Sequence, residues 1–149
     1  MATNTMLQTL NKAAVGGLES ASNRRQVETF IAAGVIAIGD VVMFDVGQAG
    51  PDRVLFVKKG DVIGTGNGLC VGVAITAAAV GESVNVVIAG YVDVSTHGTV
   101  ASANMLTACQ TSAGTVDGRV AADISPAFGI TLEARTGAGL VKALVYKQY

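Results

Sequence analysis

The sequence has no tryptophan, one histidine, two prolines and two cysteines in 149 residues, and only 14% of it is charged. Each shortage excludes something. Aromatic residues make up 5%, too few for the stacking platforms that single-stranded nucleic acid needs. Ten lysines and arginines stand against eleven acids, for a net charge of −1. They are scattered rather than gathered into the basic stripe of a nucleic-acid binder. The lone histidine, His97, has no second histidine to share a metal with. Asp40, Asp45, Asp52 and Asp61 do not fall at calcium-loop spacing. Cys70 and Cys109 lack a CxxC partner and read as buried free thiols, with a disulfide not demanded. No apolar run reaches ~18 residues without a polar or glycine break, so no membrane span is expected. The beginning, MATNTMLQTL, has no basic stretch leading into an apolar one. It does not read as a secretory signal, and the expected place of synthesis is a cytoplasm.

Catalytic signatures are missing as well. His97 sits in STHG, which reads as a turn. The GTGNG run at residues 64–68 lacks the following Lys-Ser/Thr and the helix of a phosphate loop. No GxSxG nucleophile elbow occurs, and Cys109 has no evident activating group. The expectation is a protein that is not an enzyme and carries no cofactor or metal.

Hydrophobic residues, by contrast, make up half of the chain. The charged fraction falls well below the ~25% usual for soluble domains. A small domain exposes much of its surface, so a chain this poor in charge is expected to cover part of that surface with partners.

The clearest local pattern lies in residues 68–91, GLCVGVAITAAAVGESVNVVIAGY. Val71, Val73 and Ile75 alternate with Gly72 and Ala74, and Val84, Val86 and Ile88 with Asn85 and Val87. Two strands joined by a small-residue turn at Gly81-Glu82 are predicted. Further strands are expected at Val27 and Thr29, at residues 41–44 (apolar throughout and buried on both faces), at 53–57, 62–63, 91–94, from 99 onward, and in a closing hairpin at 128–145. Ile36 and Ile38 are placed on one side of a connector. Many short strands separated by glycine-rich turns mark an all-β barrel or sandwich.

The chain also repeats itself. Residues 71–88 align without gaps on residues 128–145, a spacing of 57, with Gly72 on Gly129, Ala77 on Ala134 and Val84 on Val141. The in/out pattern is preserved, and a one-residue slip would turn every side chain to the wrong face. Gly39-Asp40-Val41 is loosely echoed by Gly98-Thr99-Val100. Two pseudo-equivalent β halves closing on one core are predicted, with Gly72 and Gly129 where a facing strand comes close.

Residues 1–26 differ in composition, being rich in Asn, Thr, Ser and Ala and broken at Gly16-Gly17. They read as an N-terminal arm ahead of a β domain at residues 27–149. Its larger apolar residues, Met6, Leu7, Leu10, Val15 and Leu18, and the closing pair Arg24-Arg25, are the candidate docking residues. The loops at residues 47–51 and 104–112 are further candidates.

Three segments together resemble the small capsid decoration, or cement, proteins of tailed bacteriophages. Gly34, Ile36, Gly39, Asp40, Val41 and Val42 match the early segment of that family. Gly72, Val73, Ala74, Gly81, Glu82, Val84, Val86, Gly90 and Val92 match its central block. Residues 125–146 resemble its final hairpin, though Thr131-Leu132 stands where small residues are the rule. The resemblance spans residues 26–146 and leaves the arm unmatched. It implies a structural virion protein on the capsid exterior, made in the host cytoplasm, that stabilises the shell by bridging neighbouring major capsid subunits. A homotrimer is implied, with a homodimer as the other option, and neither nucleic acid nor membrane as partner. The alternative is a β-sandwich module recognising carbohydrate or a host surface. Tyr91, Tyr146 and Tyr149 are the only tyrosines available to it.

Overall fold

The computed structural model describes residues 25–60, 70–108, 113–118 and 127–147. Nine strands occur among them: β1 (Gln26–Ala32), β2 (Val41–Phe44), β3 (Phe56–Lys59), β4 (Cys70–Ala74), β5 (Ser83–Thr96), β6 (Met105–Ala108), β7 (Val116–Gly118), β8 (Gly129–Thr131) and β9 (Gly139–Val145). They form one sheet in the order β1-β3-β2-β4-β5-β7-β6-β8-β9, and further pairings join β1 to β5 and β5 to β9. Those two pairings close the sheet twice. The first barrel is β1-β3-β2-β4-β5 and the second is β5-β7-β6-β8-β9, so β5 belongs to both. Closure gives each of the described strands a partner on both sides.

β5 is long enough to serve both barrels because its inward residues keep their period across the junction. Val84, Val86 and Ile88 are buried in the first barrel, and Val92 and Val94 in the second. Gly90, at φ 110°, stands where β5 passes between partners. Gln26 pairs with Ala89 on one side of it, and Val145 pairs with Gly90 itself. A side chain would be strained in that backbone conformation.

The repeat is present at the level of register. Val73 pairs with Val87 and Ala74 with Val86; 57 residues on, Ile130 pairs with Leu144 and Thr131 with Ala143. The first strand of each barrel matches too: Phe30 faces Val84 and Val94 faces Val141. The isolated bridge Ile36–Ala78 reappears as Val100–Arg135. That bridge corrects the expected echo of Gly39-Asp40-Val41 in Gly98-Thr99-Val100. Val100 is the counterpart of Ile36, and Gly39-Asp40 is matched by Ala103-Asn104. The Gly39 amide donates to the Ala74 carbonyl and the Ala103 amide to the Thr131 carbonyl. Ala103 at φ 61° takes the left-handed position that Gly39 takes at 86°.

The two cores differ in detail but balance in bulk. Phe30 in the first barrel corresponds to Val94 in the second, while Val71 corresponds to Phe128. Each barrel thus buries one counterpart phenylalanine, from a different strand or its flank. Val42 and Val86 are matched by Leu106 and Ala143, a second exchange of large for small. Close-packed interiors require this kind of compensation.

Other expectations are corrected. Residues 53–57 were expected as a strand, but Pro51–Leu55 is a 3-10 turn and β3 begins at Phe56. Pro51 lies at the start of the turn, where its fixed φ suits a helical entry. Ile36 is buried whereas Ile38 is exposed, so the two do not share a side. No strand begins at residue 99; Val100 makes only its bridge to Arg135. The short strand expected at residues 62–63, the glycine loop at 64–68 and Cys109 lie outside the described residues.

Candidate interaction surface

A buried acid stands at the junction of the barrels. Asp40 precedes β2, and its Oδ2 accepts from the Ala37 amide at 2.8 Å and pairs with Lys59 Nζ at 2.9 Å. The second barrel meets it here: the Val41 amide donates to the Gly114 carbonyl at 2.8 Å, and the Ser95 amide to the Gly39 carbonyl at 2.8 Å. In the second barrel Asn104 stands in place of Asp40 and Gly118 in place of Lys59, so the ion pair belongs to the first barrel alone. Asp40→Ala strips the Ala37 amide of its buried acceptor and is expected to cost about 1–3 kcal/mol. Lys59→Ala should cost less, about 1 kcal/mol, because the lysine is partly in water and the Asp40 carboxylate keeps the Ala37 amide. Urea unfolding of both variants checks the order.

Among the described residues, those with the chemistry to react do not converge. Cys70 is buried in β4, and desolvation pushes its thiol up to about 11, so it is held as a neutral thiol. His97 is exposed in the turn after β5, where its amide donates to the Val116 carbonyl at 3.1 Å. Among the described residues no group of three or more His, Cys, Asp or Glu side chains could hold a metal ion. Glu82 spends its carboxylate on the Ala79 amide at 2.8 Å, closing the turn before β5.

What the surface does offer is apolar side chains. Val46, Val54 and Leu55 are exposed around the 3-10 turn of the first barrel. Met105, Leu132, Leu140, Leu144 and Tyr146 are exposed on the second. The expected loop at residues 47–51 adjoins the first group. The described part of the expected loop at 104–112 is Asn104 followed by Met105–Ala108, which form strand β6. Of the arm candidates, Met6, Leu7, Leu10, Val15, Leu18 and Arg24 lie outside the described residues; Arg25 is half-buried directly before β1. Gln26, the first residue of β1, pairs with Ala89 next to Gly90 of the shared strand. Near the other end of the described chain, Lys147 Nζ lies 4.0 Å from Glu28 Oε1.

Apolar positions on β9 and β8 were not singled out from the sequence. The signal was present, since Leu140 and Leu144 alternate with Val141, Ala143 and Val145.

The all-β fold agrees with the resemblance to phage decoration proteins, while its two halves close as two barrels with a core cluster each rather than on one core. Solved structures with a similar fold include two from phages. One is the head fiber gp8.5 N base of bacteriophage phi29, at TM-score 0.54 and 16% identity over 81% of this chain and 93% of that one. The other is in the capsid of Myoviridae phage XM1, at TM-score 0.59 and 14% identity over 84% of this chain and 85% of that one. No protein-family profile and no curated protein sequence matches the chain.

Proposed function

We propose that the protein is a structural component of a phage virion. It binds the outer surface of the capsid and stabilises the shell by bridging neighbouring major capsid subunits. The observation that carries this reading is the shared fold: the double barrel matches a chain of a phage capsid across most of both lengths. The surface supports it, offering exposed apolar side chains for docking and no gathered reactive groups among the described residues. The action is mechanical. A protein that binds only the assembled shell stabilises it by mass action, so expansion or rupture must first break its contacts. It acts as a homo-oligomer, a homotrimer in the first instance, which multiplies those contacts. The N-terminal arm adds a tethered second contact, and a tethered contact forms at high effective concentration.

The test is pelleting of the full chain with empty shells of its parent virus, compared with a chain lacking residues 1–25. The full chain should saturate at a fixed number of copies per shell. The shortened chain should keep its thermal melt and lose at least ~10-fold in affinity. Equal occupancy by both would remove the arm's role, and failure of the full chain to pellet would remove the capsid reading.

A further inference from the structure

The two barrels are equivalent in fold and unequal in exposure. In the first barrel Val41, Val73 and Val87 lie side by side across β2, β4 and β5. They point out of that barrel, yet each is 0% exposed. The second barrel covers them, gathering them into one cluster with Val92, Val94 and Val141. Part of the cover is the segment ahead of β7, whose Gly114 carbonyl receives the Val41 amide.

The counterparts in the second barrel are Met105, Ile130 and Leu144, side by side across β6, β8 and β9, with Tyr91 next to them on β5. Here the row faces outward: Met105 is 53% exposed and Leu144 43%, and Ile130 and Tyr91 are half-buried. The covering segment also has a counterpart. Thr96 pairs with Val116 as Ala32 pairs with Val57, which sets Gly114 on Leu55. Leu55 and its neighbour Val54 are 46% and 57% exposed at the end of the 3-10 turn. Among the described residues there is thus an uncovered row on one barrel and an unused cover on the other.

We propose that a second copy of the chain docks head to tail, its Val54–Leu55 turn lying over the Met105–Ile130–Leu144 row. The contact repeats between chains the one that joins the barrels within a chain. The second copy is the fitting occupant because the chain itself carries the counterpart of the segment that covers the equivalent row. The facing side chains named are apolar, as interface cores tend to be. A head-to-tail contact uses two different patches, so it closes into a ring or runs on into a filament. The proposal deepens the homo-oligomer part of the proposed function and is independent of capsid binding, which is read separately by pelleting with shells.

The test is sedimentation velocity of the full chain, of Leu144→Asp in the row, of Leu55→Asp in the cover, and of the two variants mixed in equal amounts. The unaltered chain should sediment as a multiple of 15.0 kDa. Each variant should raise the concentration of half-assembly at least ~100-fold, since a buried unpaired charge is strongly disfavoured. The mixture should regain a dimer, because each variant keeps the patch that the other has lost. Circular dichroism and melting report folding, and Met105→Asp replaces Leu144→Asp if that variant does not fold. A monomeric unaltered chain, variants that assemble normally, or a mixture that stays monomeric would each overturn the proposal. So would loss of assembly on removing residues 1–25 alone, which would make the arm the occupant of the row.

Discussion

Gly72→Ala is expected to prevent the first barrel from closing. A Cβ at this position would sit inside the van der Waals shell of the Val87 carbonyl oxygen and 2.8 Å from Val86 Cγ1. A carbonyl oxygen in a paired strand cannot swing aside as the tip of a flexible side chain can. β4 would have to lift off β5, and the Val73–Val87 pairing would go with it. Overpacking in a well-packed core costs about 1–3 kcal/mol even when side chains can yield. With backbone as the obstacle, the expected loss is about 3 kcal/mol or more, a large fraction of a small domain's ~5–15 kcal/mol. Gly129→Ala in the matching position meets the Leu144 carbonyl at 2.9 Å, so it should cost less, about 1–2 kcal/mol. Denaturant titration of the pair measures both. Equal and small effects would show that the strands do not approach as described.

Phe128→Ala is expected to cost about 3–5 kcal/mol, the range for emptying a buried phenylalanine site. Phe128 is among the largest fully buried side chains and joins the second cluster beside Val145 and Leu106. Its counterpart in the first barrel is only Val71, so Val71→Ala removes less volume and should cost about half as much. The useful comparison is the double variant Phe128→Val with Val94→Phe, which gives the second barrel the arrangement of the first. If the barrels are equivalent folds with compensated volumes, this exchange should recover at least half of the loss seen in Phe128→Val alone, as read from thermal melts. A double variant no more stable than Phe128→Val would deny the equivalence.

Much of this architecture is legible in the residues. The alternation of Val84, Val86 and Ile88 and the spacing of 57 residues to Val141, Ala143 and Val145 show in the registers as two matched hairpins. Gly72 and Gly129 are legible as points of close approach, because glycine inside a strand otherwise weakens it. The continuity of β5 was harder to see. Gly90 reads as a break, but a strand that changes partners there needs the conformation a glycine allows. The 3-10 turn was hidden because Arg53-Val54-Leu55-Phe56-Val57 has strand-like composition, and Pro51 ahead of it decides the local backbone. The unequal exposure of the barrels is not local information at all. Val41 and Met105 occupy the same place in the repeat, and only the assembled pair of barrels shows that one is covered and the other is not.

Placement on the virion tests the account most directly. Parent shells saturated with the full chain and imaged by electron cryomicroscopy should show added density on the outer surface. Each copy should fit the double barrel and touch at least two major capsid subunits. Density confined to the inner surface, or resting on a single subunit, would contradict the proposed role.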